Sequence, residues 1–409
     1  MLNLYRTAIR GLPAEVWWYS AAAFVNRAGT MVLPFLALYL RDALQFSATD
    51  VGRILAAFGA GSLAGTFFSG ALIDRFGGHR VQIGSLVLSG LAFIALVPLT
   101  SFIGLTVGVF GAAAVSEIFR PAVTSAIGSV IDPKDRARGF AVLRLAVNAG
   151  MAVGPALGGL AAQVDFTLIF WGEGITCILA GLFLAAAPVA AKSAIAADKP
   201  KSAPLAALKD VPFLAYLILV FMTFVSFFQL FFTIPLYLKD VYAWSEASVG
   251  LLIGTNAALI VVFELPIVTA MQKKTPLLVY AVGAVLLSLS FGALTLGTHA
   301  SVPILMIVVI TFAEILLFPI GLAIVANRAS DAAMGRYMAA YSTTAAAAFI
   351  VAPWLGMSLY DPNGSDALWG AAAAAAGVVA LLSAGPVQRL MTPHYDRAPS
   401  SRDETDDLF

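Results

Sequence analysis

Tyr39-Leu40-Arg41-Asp42 closes one long apolar run and leads into Phe46-Ser47 and Val51-Gly52. About two hundred residues later Tyr237-Leu238-Lys239-Asp240 closes another and leads, at the same spacing, into Trp244-Ser245 and Val249-Gly250. The same shift carries Asp74-Arg75 onto Gln272-Lys273 and Pro155-Ala156-Leu157-Gly158 onto Pro353-Trp354-Leu355-Gly356, without a gap. Glu117-Ile118 and Pro121 find counterparts in Glu314-Ile315 and Pro319, with one extra residue between. Generic likeness among apolar segments does not produce matched Tyr-Leu-basic-Asp tetrads. The chain is therefore read as two related halves.

Composition says what the halves are made of. Hydrophobic residues make up 60% of the chain and charged ones 11%, with a mean hydropathy of +0.90. A soluble domain carries about 25% charge to cover its surface. The net charge of +1 excludes a nucleic-acid partner, which needs a concentrated basic field. Cys177 is the one cysteine, so no disulfide forms within the chain. His79, His299 and His394 lie too far apart in sequence to suggest a metal site. Met1 to Glu15 holds Arg6 and Arg10 but no apolar run ending in a small-residue cleavage site, so no cleavable leader is expected there.

A membrane-crossing helix needs about 20 apolar residues. Reading the apolar runs between charged or Pro/Gly/Asn-rich breaks predicts Val16–Leu40, Thr49–Ile73, Val81–Leu99, Gly104–Val130, Phe140–Ala162 and Leu168–Ala187 in the first half. The second half gives Phe213–Leu238, Ser248–Ala270, Leu277–Leu296, Val302–Ala326, Tyr337–Tyr360 and Leu368–Val387. The expected fold is all-α and integral to the membrane, with twelve transmembrane helices in two pseudo-symmetric six-helix bundles. Residues 1–189 and 211–391 form the bundles, 190–210 a polar linker, and 392–409 a disordered tail. Arg6/Arg10, Arg75/Arg80, Lys134/Arg136/Arg138, Lys192/Lys199/Lys201/Lys209, Lys273/Lys274, Arg328/Arg336 and Arg389/Arg397/Arg402 all fall on one set of loops. The alternate loops hold little beyond Arg41 and Lys239. Positive charge is retained in the cytoplasm, so both termini and the linker are expected there, in a plasma-membrane protein.

The loop after span 2 reads Gly70-Ala71-Leu72-Ile73-Asp74-Arg75-Phe76-Gly77-Gly78-His79-Arg80. Its glycines permit a tight turn, Asp74 suits a helix N-terminus, and Arg75 and Arg80 reach for carboxylates. It resembles the signature loop of the major facilitator superfamily, departing where His79 replaces a base. The resemblance extends over all twelve spans. It implies that Asp74 and Arg75 latch the cytoplasmic side in the outward-open state, with Asp132 as a partner for the loop arginines. Gln272-Lys273-Lys274 has lost the carboxylate, so the latch is expected to be asymmetric. In span 5, Gly150, Gly154, Pro155, Gly158 and Gly159 set small residues at helical spacing around a bend. This run looks like the motif of the superfamily's twelve-span drug:proton antiporters, which implies export in exchange for protons. Read from the residues alone, it marks a helix interface first.

Charges inside spans are costly, about 2.5–3.5 kcal/mol each on insertion scales, and so mark candidate sites. They are Arg27, Glu117, Arg120, Arg144, Glu173, Glu264 and Glu314. Glu314, or Glu117 coupled to Arg120 or Arg27, is expected to carry the proton; a static Glu117–Arg120 pair and a Glu264 held in a helix interface are the structural alternatives. Asn26, Asn148, Gln229 and Asn256 are candidate cavity groups, with Gln229 set among the phenylalanines of span 7, most of which suit packing or lipid. An importer or uniporter of a sugar, amino acid or peptide is the alternative function and calls for a more polar cavity. No acid pair, nucleophile dyad or metal cluster suggests an enzyme. The expected partners are a small molecule, protons and the bilayer, acting on a monomer. A proton gradient supplies the energy, and no cofactor is expected.

Overall fold

A computed structural model of the chain describes residues 11–132, 135–188, 209–271, 273–329, 333–361 and 365–395. Most of the expected linker, the last part of the tail and Gln272 lie outside these residues. The described residues are predominantly helical, without a strand. Among the described residues, eleven helices are long and apolar enough to cross a membrane. The helix Gly78–Ala95, which begins with His79, Arg80 and Gln82 and is therefore less apolar, completes the expected twelve as span 3.

Three spans are broken. Span 1 runs as Ala14–Ala28, then Val32–Leu38 and a wide turn at Tyr39–Ala43. Span 4 divides at Ile118, three residues before Pro121, into Phe102–Glu117 and Phe119–Val130. Span 7 divides at Thr233, just before Pro235, into Val211–Phe232 and Ile234–Tyr242. A proline lacks the N–H that its helix would use and crowds the preceding turn, so it favours breaks of this kind. Spans 2, 5 and 6 are Ala48–Phe76, Arg136–Val164 and Thr167–Ala186; spans 8 to 12 are Glu246–Met271, Pro276–Ala293, Ser301–Arg328, Met334–Leu359 and Asp366–Ala384. A final helix, Pro386–Tyr395, begins after Gly385 and enters the region expected to be an irregular tail from residue 392.

The repeated serines are helix starts. The Ser47 hydroxyl accepts the Asp50 N–H at 3.2 Å, and Ser245 accepts that of Ser248 at 3.3 Å, capping spans 2 and 8. Gly77 closes span 2 at φ +80°, a backbone that an L side chain rarely adopts, which lets span 3 begin at once. The halves meet through spans 2 and 11 and spans 5 and 8. Phe58 packs against Phe349 at 6.1 Å between ring centres. The span 5 glycines form two seats. A Cβ added at Gly154 would lie 2.6 Å from the Arg27 carbonyl oxygen of span 1, while Gly159 faces the Glu246 backbone at the start of span 8. Close backbone approach is what small residues at helical spacing provide.

Candidate functional site

The loops divide the molecule into a basic side, carrying Arg75, Arg80, Arg136, Lys273 and Arg328, and a far side, carrying the two tetrads. On the far side the tetrads pair crosswise. Arg41 of the first half bonds Asp240 of the second, and Lys239 of the second reaches Asp42 of the first at 2.8 Å. Arg41 also bonds its neighbour Asp42 at 2.6 Å, Lys239 also pairs with Glu246, and the Tyr360 hydroxyl donates to Asp240. All four tetrad charges are largely shielded from solvent. Two halves related by pseudo-symmetry thus close one side of their interface with a reciprocal ionic clasp.

Deeper in, Arg144 of span 5 grips Glu264 of span 8. One guanidinium nitrogen pairs with Glu264 Oε1, Nε donates to Oε2 at 3.1 Å, and Asn148 adds a donor at 3.4 Å. A two-pronged guanidinium–carboxylate contact is among the stronger and more directional of polar bonds. Glu264 is 14% exposed and Arg144 46%. Glu314 of span 10 stands within electrostatic reach of both. Its Oε2 accepts from Asn256 Nδ2 at 3.1 Å, and the same amide donates to the Thr311 hydroxyl at 2.9 Å. At about 1.5 Å per residue, Glu314 lies roughly 20 Å and Glu264 roughly 27 Å from the far-side ends of their helices. The acids therefore descend from mid-membrane toward the basic side, each held by an amide or a guanidinium. Glu264 is the one whose countercharge belongs to the other bundle.

The N-terminal bundle holds a second group. Arg27 packs over the Phe119 ring at 5.7 Å and lies near enough to Glu117, Arg120 and Glu173 to feel their charge. Glu117 and Arg120 pair at 3.7 Å across the break in span 4, with Arg120 71% exposed. Such a pair is weak, about 0–1 kcal/mol. An arginine exposed within a span is costly unless water or lipid head groups reach it, which keeps Arg120 a candidate site residue. Glu173 has a different task. Its Oε2 accepts the backbone N–H groups of Met31 at 3.0 Å and Val32 at 2.7 Å, capping the second segment of broken span 1. Glu173→Ala is expected to leave both donors buried and unmet, lowering stability by about 1–3 kcal/mol. Glu173→Gln keeps an acceptor and is expected to melt near the parent temperature in detergent; equal losses in both variants would refute the capping role.

The amide candidates separate by surroundings. Asn148 and Asn256 belong to the acid cluster. Asn26 is buried and donates to Cys177 Sγ at 3.2 Å. Gln229 is buried too, donating to the Ala352 carbonyl of span 11 at 3.0 Å and accepting from Thr233 at 2.9 Å, which binds span 7 to span 11. In the signature loop, Gly70 has open space beside it, Arg75 lies over the Phe76 ring at 5.1 Å, and Asp74 sits in the last turn of span 2. Among the described residues Asp132 forms no ion pair with Arg75 or Arg80. Near the basic side, Asp210 caps Phe213 and takes a two-pronged bond from Arg328. Burial raises its carboxyl, but the bonds from Arg328 and Tyr337 outweigh that and hold it below the usual carboxylate range.

Sequence reasoning saw the tetrads only as proof of the repeat. That Arg41 and Lys239 are nearly the sole bases of the alternate loops, each followed directly by an acid, was the signal for the clasp. Thr311 and Tyr360 carried no comparable signal.

A family model described as the Major Facilitator Superfamily matches residues 19–353. The chain is similar to a Na(+), Li(+), K(+)/H(+) antiporter of Planococcus maritimus, 27% identical over 369 residues, covering 81% of this chain and 85% of that protein. It is also similar to the quinolone resistance protein NorA of Staphylococcus aureus (strain MRSA252), 29% identical over 151 residues, or 37% of this chain and 38% of the other. A solved mutant of the peptide transporter POT in complex with sulfate overlays with a TM-score of 0.80 at 17% identity, covering 94% of this chain and 96% of that one. At that identity the overlay speaks for the fold alone.

Proposed function

This chain belongs to the Major Facilitator Superfamily, a family of transporters and not enzymes, and on that premise we propose that it is a proton-coupled antiporter exporting small cationic, amphiphilic compounds by alternating access. Its basic side faces the cytoplasm, in keeping with the positive-inside rule, and one chain holds both walls of the pathway, so a monomer suffices. No cofactor is needed; the proton gradient drives the cycle.

The observation that carries this reading is the pairing of Glu264 with Arg144 across the bundle interface. A carboxylate in a low-dielectric interior must be paired or protonated. Because its partner sits on the other bundle, rocking the bundles apart removes the compensation, and Glu264 must then take up either a proton or a cation. Glu314 next to it has, among the described residues, the neutral Asn256 amide as its one hydrogen-bonding partner and faces the same choice. A site that accepts one or the other, never both, exchanges them. The span 5 glycine seat and the likeness to a drug-resistance protein are in keeping with export.

A second cargo is favoured by the Planococcus relative, whose name gives alkali-metal cations and whose match runs over most of this chain. The side-chain oxygens of Glu264, Glu314, Thr311, Asn148 and Asn256 suit a hard cation. Proteoliposomes with an acidic lumen reported by a pH-sensitive dye test both cargoes. Addition of ethidium, or of sodium or potassium, is expected to release luminal protons, and the class that does so names the cargo. Silence to all of them, or proton entry together with a neutral nutrient, would overturn antiport.

A further inference from the structure

A crevice of about 340 Å³ opens on the outside of the N-terminal bundle between spans 2, 3 and 4, next to the basic side. Leu72 and Phe76 of span 2, Leu88 of span 3 and Val115 and Ile118 of span 4 wall it with hydrocarbon. Leu88 and Phe76 are 57% and 47% exposed, and the neighbouring Phe67 and Phe68 are more so. Such a surface is at ease only against acyl chains. Gly84 lies on its floor, and a Cβ built there meets nothing within 4 Å, so the space is real at the level of single atoms.

One charge sits on this apolar crevice. Arg80, in the first turn of span 3, lies on its rim, is exposed, and joins no ion pair among the described residues. From Arg80 to Leu88 is eight residues, or roughly 12 Å along the helix axis. The crevice therefore starts at the depth of lipid phosphates and runs into the hydrocarbon layer. A guanidinium offers paired donors matched to a phosphate, and basic pockets between spans hold anionic head groups. We propose that the crevice is a phospholipid site of the leaflet on the basic side: one acyl chain lies between spans 2, 3 and 4, and Arg80 binds the anionic phosphate. The ligand is a lipid and not a soluble phosphate, because beyond Arg80 the walls offer only hydrocarbon and the buried Ser85 hydroxyl, which already donates to the Gln82 carbonyl. The bound lipid would span the turn at Gly77 and join the two helices that carry the signature loop.

Native mass spectrometry of the full chain from mild detergent tests this, with phosphatidylglycerol, phosphatidylcholine and inorganic phosphate as probes. Phosphatidylglycerol is expected to remain bound in preference to phosphatidylcholine, and Arg80→Gln to weaken its retention about fivefold. Gly84→Leu, which fills the floor, is expected to expel the lipid. Should that variant fold poorly, Leu88→Trp gives an independent reading: its added fluorescence is expected to be quenched more by brominated phosphatidylglycerol than by brominated phosphatidylcholine. Equal retention of both lipids, unchanged retention in the Gly84 variant, displacement by inorganic phosphate alone, or equal quenching would each overturn the proposal.

Discussion

Glu264→Gln and Glu314→Gln are each expected to abolish proton-driven exchange, by about a hundredfold, while the chain remains folded and in the membrane. The size follows from the cost of charge at mid-membrane, about 2.5–3.5 kcal/mol on insertion scales, which is the free energy that a titrating carboxylate there supplies to coupling. A glutamine keeps the shape and one acceptor but takes no proton. The two variants differ in what they leave behind. Glu314→Gln still accepts from Asn256, so substrate counterflow without a gradient survives, and its dependence on pH flattens. Glu264→Gln strips Arg144 of its countercharge, but that arginine is 46% exposed and water solvates it in part. The stability loss is accordingly modest, about 1–3 kcal/mol, and the bundles separate more easily on the basic side. Glu117→Gln is the control: its pair with Arg120 is long and that arginine is mostly exposed, and less than about a threefold change is expected. Full coupling in both Glu264→Gln and Glu314→Gln, measured as flux against a fixed pH step in proteoliposomes, would remove the proposed proton site.

How far the sequence led is clearest at these acids. Glu264 and Glu314 stand out in it because a charge in an apolar run is conspicuous wherever it points. Arg144 and Glu264 are 120 residues apart, and nothing local says that they meet; that depends on how spans 5 and 8 are turned about their axes. Rotation is legible when a helix has one polar face, but these spans are apolar nearly all round, since one face meets lipid and the other meets protein of similar character. Gln229 shows the cost of that blindness. Set among phenylalanines it reads as a cavity group, and in the fold it ties span 7 to span 11. Glu173 is similar: its charge was visible, but its use depends on a break in span 1 ahead of Pro34, where Val32, whose N–H it accepts, lies 141 residues away in sequence. The glycines of span 5, by contrast, kept their meaning, because a missing side chain has the same consequence from every direction. The helix Pro386–Tyr395 shows the limit of composition as a guide: its few polar residues look like a tail, yet proline at its start and a long side chain at most later positions suit a helix.

The clasp on the far side supplies the second large effect. Arg41, Asp42, Lys239 and Asp240 hold that side shut through two ion pairs that cross between the halves, Arg41–Asp240 and Lys239–Asp42, each flanked by a pair within one half. Asp42→Asn together with Asp240→Asn removes the acceptors shared between the halves and leaves Arg41 and Lys239 facing one another. At about 0.5–1 kcal/mol for each of the two bridging pairs lost, roughly 1–2 kcal/mol leaves the closed arrangement, which moves the balance between closed and open far sides about five- to thirtyfold. Phe35 offers the readout, being fully buried where span 1 meets Gly158 and Gly250. In a Cys177→Ala chain carrying Phe35→Cys, a membrane-impermeant maleimide added from the far side is expected to react slowly with the intact clasp and much faster in the double asparagine variant. Salt has the same sign as the mutation, because screening weakens pairs that water partly reaches. The reciprocal arrangement makes a sharper demand. Either single asparagine leaves one cross-pair standing, so each is expected to open the far side by less than half of the double variant's effect in free energy, and the two together to exceed their sum. Strict additivity would mean that the two bridges act as separate surface pairs, and the tetrads of the internal repeat would then not work as one gate.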